Sequence, residues 1–95
     1  MQRSQVYSAV SQTIGTIHSA GGHGGRVSGS TRPMRDLSGF DSLNAVEATC
    51  QISASLGYEI PEDVGLFFNR DTGEANTVNE IVDKICAHIE QMESA

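Results

Sequence analysis

No apolar run in this 95-residue sequence reaches the roughly 18 residues that a membrane helix needs, and no apolar core of a secretory leader follows Arg3. The sequence therefore predicts neither a membrane span nor secretion, and a cytoplasmic location is expected. Cysteine is scarce: Cys50 and Cys86 lack the C-x-x-C spacing of zinc or thioredoxin-like sites, so reduced thiols are expected. His18, His23 and His88 are scattered without i, i+4 or H-x-x-E-type pairing, which argues against a metal site. No stretch alternates apolar and polar residues as a half-buried strand would, which argues against an α/β fold. At this length one domain of marginal stability is expected, too small for a large enzymatic cavity.

Acids are absent from the first 35 residues, which hold Arg3, Arg26, Arg32 and Arg35. From Asp36 onward all 12 acids face only Arg70 and Lys84. The net charge of −6 argues against nucleic acid or an anionic membrane as the main partner. An Arg- and Ser-bearing, acid-free, amphipathic start fits an organellar transit segment as well as a first helix.

Val6, Val10, Ile14 and Ile17 fall in one sector of a helix, predicting a first helix over 3–19 that ends before Gly21 and Gly22. Residues 20–41 carry no sustained period and read as a long connection. Its GGHGG core lacks the preceding strand and the pattern of a phosphate loop, so it reads as a tether. A second helix is predicted over 42–56, with Asp41 as N-cap and Gly57 as terminator. Its polar stripe is Asn44, Glu47, Gln51 and Ser55. Ala45, Ala48, Ile52 and Leu56 line one apolar side and Leu43, Val46 and Cys50 another, so packing on more than one side is expected. Tyr58 to Pro61 forms an extended link. Val64, Leu66, Phe67 and Phe68 then suggest a short third helix over 61–68, and NRDTGEAN at 69–76 a surface loop. Thr77 and Glu80 make a capping box, behind which Val78, Ile81, Val82, Ile85, Ile89 and Met92 share one face of a last helix over 77–92. The sum is an all-α fold in one domain, three long helices and one short.

Chemistry concentrates at Gly39-Phe40-Asp41-Ser42-Leu43, where a primary alcohol stands at a helix N-terminus directly after a carboxylate. One use for it is nucleophilic catalysis, as in hydrolases with a Gly-Asp-Ser-Leu block, to which the string is superficially similar. That needs a base and a sheet, and the Asp83 to His88 spacing departs from the D-x-x-H block of those enzymes. The other use is attachment. A phosphodiester on Ser42 would meet unpaired N–H groups and the positive end of the helix dipole.

The strings FDSLNAVE, LGYEIPED and TVNEIVDKI resemble, in type, order and spacing, the acyl carrier protein family, whose mark is D-S-L-x-x-V-E followed by a helix and E-I-P-x-E/D. The match covers roughly residues 34 to 91. The resemblance implies a four-helix acyl-carrier-like bundle that carries acyl intermediates for fatty acid, polyketide or related lipid biosynthesis and has no catalytic residue of its own. It implies a 4′-phosphopantetheine arm on Ser42, added from coenzyme A by a magnesium-dependent phosphopantetheinyl transferase such as a holo-acyl-carrier-protein synthase. By the same match Asp41 would assist the transferase contact, and Leu43 would dock partners beside the arm. Glu47 would meet basic residues on acyl-loading, condensing or acyltransferase enzymes, with Gln51 on the same stripe. Val46, Ile60, Leu66 and Phe67 would shelter an acyl chain, although each also reads as plain core. A monomer is expected.

The sequence also departs from that pattern. Gln51, Ser53, Ala54 and Ser55 stand where carboxylates are usual, and the stretch between Pro61 and Thr77 is several residues longer than common. Peptidyl carriers often have Gly-His or Gly-Asp before the serine, whereas Phe40-Asp41 leans toward acyl cargo. The competing readings are an unmodified helical interaction module and a peptidyl or aminoacyl carrier.

Overall fold

The computed structural model describes residues 1–20, 27–61 and 65–94. The GGHGG tether with His23, and Glu62 to Val64 of the expected short helix, lie outside the described residues. Four helices are described: α1 (Arg3–Ala20), α2 (Pro33–Asp36), α3 (Ser42–Leu56) and α4 (Val78–Ser94). Among the described residues extended pairing is limited to one isolated antiparallel bridge, Phe68 with Ala75, so the fold is all-α.

α1 packs against both α3 and α4. Its stripe of Val6, Val10, Ile14 and Ile17 is buried, as are Ile52 of α3 and Val78, Ile81, Val82, Ile85 and Ile89 of α4. Each such aliphatic side chain contributes roughly 1.5–3 kcal/mol of transfer free energy, which conformational entropy largely offsets. Leu37, Phe40, Ile60, Leu66 and Phe67 join the same core from the connections.

The ends of α3 and α4 are set by local hydrogen bonds. The Asn44 N–H donates to Asp41 Oδ1 at 3.0 Å, and Gly57 closes α3 at φ 75° with its N–H on Ser53 O. The α4 capping box is closed in both directions between Thr77 and Glu80. Two further first-turn donors of α4 are satisfied from the long connection: Val78 N–H donates to Thr31 O at 2.9 Å and Asn79 N–H to Gly29 O at 3.0 Å.

Two expectations are corrected, and a third, the short helix over 61–68, falls partly outside the described residues. Residues 20–41 are not uniformly irregular, because Pro33 opens the one-turn helix α2 and the Arg32 N–H donates to Asp36 Oδ2 at 2.8 Å across it. The stretch 61–68 holds no helix in its described part. Gly65 has φ 70°, which interrupts a right-handed helix, and Phe68 turns into the bridge with Ala75. The one-turn helix among the described residues is α2, ahead of α3. Finally, α3 buries only the side carrying Ala48, Thr49 and Ile52; Leu43, Val46 and Cys50 are exposed.

Residues 65–76 are instead held as a folded loop. The Asn69 side chain accepts from the N–H groups of Asp71 and Thr72, forming its tip. Buried Asn76 donates its side-chain amide to Leu66 O at 2.8 Å and its backbone N–H to Phe67 O at 2.8 Å. From α4, Lys84 Nζ donates to Gly65 O at 2.9 Å and Phe68 O at 3.3 Å.

Candidate functional site

Ser42 is the first residue of α3 and is exposed. Asp41 occupies the Asn44 donor with its carboxylate and the Ala45 donor with its carbonyl. The first-turn N–H groups of Ser42 and Leu43 have no acceptor among the described residues. They lie in the first turn, at the positive end of the helix dipole, where negative charge is favoured.

Beside the hydroxyl opens a cleft of about 200 Å³. Ala45, Val46 and Thr49 form its α3 side, while Gly65, Leu66, Phe67 and Phe68 form the wall opposite. Met34 of α2 closes a third side. The surface is mainly apolar: the Thr49 hydroxyl is spent on Ala45 O at 2.9 Å, so it offers the cleft no donor. Phe40 supports the wall from beneath, its ring lying 5.7 Å from that of Phe67 at a 36° tilt.

Of the acyl-shelter candidates, Val46, Leu66 and Phe67 line this cleft with Ser42. Ile60 does not. It is buried at a separate surface hollow with Cys50, Ser53 and Tyr58, where its N–H donates to Ser53 Oγ at 3.1 Å. Leu43 is 80% exposed, and exposed Val46 adjoins it on the open face of α3. Glu47 and Gln51 are joined on that helix, Gln51 Nε2 donating to Glu47 Oε1 at 3.1 Å. Met34, Phe40 and Phe68 belong to the site although sequence reasoning did not single them out for it. Phe40 carried a usable signal, an aromatic residue immediately before an N-cap, where a hydrophobic staple would be.

Asp83 and His88, the partners a hydrolase reading would recruit, do not line the cleft. Asp83 is ion-paired with Arg3, and His88 Nε2 lies 3.1 Å from Glu59 O. Among the described residues no group of three or more His, Cys, Asp or Glu side chains is placed to hold a metal ion, and no helix is long and apolar enough to cross a membrane. Cys50 and Cys86 are free thiols, the first exposed and the second half-buried. Comparison with protein-family models, with curated proteins and with solved structures gives no match.

Proposed function

We propose that this chain is an acyl carrier, with Ser42 the attachment point of a 4′-phosphopantetheine arm and with lipid, polyketide or related acyl intermediates as its cargo. It acts as a cytoplasmic monomer and contributes no catalytic group. One observation carries the reading: an exposed seryl hydroxyl, the open first turn of α3 and a mainly apolar cleft meet at a single point inside the D-S-L-x-x-V-E pattern.

The residues suit the group. Ser42 Oγ is accessible to a transferase, and two vacant N–H donors lie beside it to favour a phosphodiester. When attached, the arm supplies a thiol that holds an acyl group as a thioester. Asp41 keeps the first turn of α3 in register and presents a carboxylate next to the hydroxyl, suited to the transferase and its magnesium. Leu43 and Val46 offer an exposed apolar patch for partner enzymes, with Glu47 and Gln51 beside it. Attraction between an acidic carrier and basic partner surfaces speeds encounter while adding little affinity, which suits a shuttle that must leave again. Among the described residues a one-turn helix lies before α3, and residues 65–68 form the cleft wall opposite α3.

Incubation of the chain with coenzyme A, magnesium and a broad-range phosphopantetheinyl transferase, followed by intact mass measurement, tests this. The expected result is one added phosphopantetheinyl mass on the parent chain and none on Ser42→Ala. An unmodified parent chain overturns the proposal. It would leave the second reading, an unmodified interaction module, which the 80% exposure of Leu43 favours independently.

A further inference from the structure

The cleft at Ser42 shares Met34 and Phe68 with a neighbouring hollow. That hollow is the larger, a cavity of about 470 Å³, whose remaining walls are Arg32, Arg35, Glu74 and Ala75. Arg32, Arg35 and Glu74 therefore lie across Met34 and Phe68 from the apolar cleft beside Ser42. In a chain of net charge −6, two of the six basic residues line the hollow that shares two walls with the Ser42 cleft.

Those guanidiniums retain donors. Arg32 commits one terminal nitrogen to Ala75 O and, at 3.4 Å, to Glu80. Arg35 commits its Nε to Asp36 at 3.0 Å, and its two terminal nitrogens have no acceptor among the described residues. Asp36 and Glu80 face the arginines from α2 and α4. Glu74 is the one carboxylate among the residues lining the cavity, set against two guanidiniums.

We infer that the cargo is an acyl chain ending in a carboxylate, its methylenes lying along Val46, Phe67, Phe68 and Met34 and its far end between Arg32 and Arg35. A guanidinium matches a carboxylate with two parallel N–H donors, whereas a methyl terminus would displace water from those donors and return nothing. The inference rests on the carrier reading, because the chain enters from an arm on Ser42.

The test loads the protein from two series of acyl-coenzyme A of equal chain length, one methyl-ended and one with a terminal carboxylate, and confirms each product by mass. Thermal midpoints and the Arg35 Nε–H resonance are then compared. A carboxylate-ended chain long enough to pass Phe68 is expected to raise the midpoint by about 2–5 °C over its methyl-ended counterpart and to shift the Arg35 resonance, both effects shrinking at high salt. Arg35→Gln, an exposed position that leaves the core intact, is expected to abolish most of the difference, and Glu74→Gln to enlarge it. Equal midpoints for the two series on a fully loaded protein, or a difference indifferent to Arg35→Gln, overturn the inference while leaving the carrier reading in place. Failure to load any acyl group overturns both.

Discussion

Thr77 and Glu80 hold each other at the start of α4: the Thr77 N–H donates to Glu80 Oε1 at 2.8 Å, and the Glu80 N–H donates to Thr77 Oγ1 at 3.1 Å. Each closes a donor that the helix itself leaves open. Thr77→Ala is therefore expected to cost about 1 kcal/mol, a fall of roughly 4–8 °C in thermal midpoint for a domain of this size. A melt followed by circular dichroism checks it.

The same pair predicts an acid response. The Thr77 N–H, first, holds the Glu80 carboxyl below the usual glutamate range, with smaller help from Arg32 and Lys84 and partial opposition from burial. Such a carboxyl binds fewer protons in the native chain than in the unfolded one. Its stabilisation is thus complete above about pH 4.3 and fades as pH falls through the lower native value. Asp36, lowered chiefly by the Arg32 N–H, acts with the same sign. Glu80→Gln keeps an acceptor for Thr77 but removes the charge, so its stability is expected to fall less steeply between about pH 5 and about pH 3 than that of the parent. Parallel slopes would contradict this.

Asp41 and Ser42 should separate cleanly on mutation. Asp41→Ala removes the acceptor for the Asn44 N–H and is expected to destabilise by about 1 kcal/mol, whereas Ser42→Ala should stay within about 0.5 kcal/mol of the parent. Urea denaturation of the two variants provides the comparison. A large loss in Ser42→Ala would assign that hydroxyl a role in folding.

Asn76 is buried and its side-chain amide is the donor for the Leu66 carbonyl. Asn76→Ala strands that carbonyl at the base of the cleft wall, with an expected cost of about 1–3 kcal/mol. Amide hydrogen exchange should show faster exchange of the Asn76 backbone N–H, which binds Phe67 O, before any change in α1.

Gly57 ends α3 at φ 75°, and a Cβ there would meet no atom within 4 Å. Gly57→Ala therefore tests backbone conformation without steric clash. A loss of roughly 1–2 kcal/mol is expected, measured by chemical denaturation.

The parts of this fold that were legible in the sequence are those set by neighbours in the chain. Asp41, Gly57 and the Thr77–Glu80 pair are signals of three or four residues, and the bounds of α3 followed from the first two of them. The stripe Val6, Val10, Ile14 and Ile17 works likewise, since one helical period decides burial. What was not legible depends on distant partners. α2 is a single turn without periodicity, and its connection is anchored by Thr31 O on the Val78 N–H. The wall at 65–68 takes its shape from Asn76 and Lys84, contacts reaching 10 to 19 residues along the chain. Around Ser42, the apolar residues of α3 could be read in register, but which of its two apolar sides faces the interior is decided by where α1 lies. Ile60 shows the same limit: its hydrophobicity fits either hollow, and only the path of the chain after Gly57 assigns it to the one away from Ser42.

The ammonium of Lys84 grips two carbonyls of the cleft wall, and it does so at the end of four flexible methylenes. It works as a hasp more than as a rivet. It adds a side-chain tie to the backbone ones, the Asn76 N–H on Phe67 O and the bridge of Phe68 with Ala75, that hold this wall beside the start of α4. A change at this one position of α4 would therefore be felt at a wall that lies 16 to 19 residues earlier in the chain.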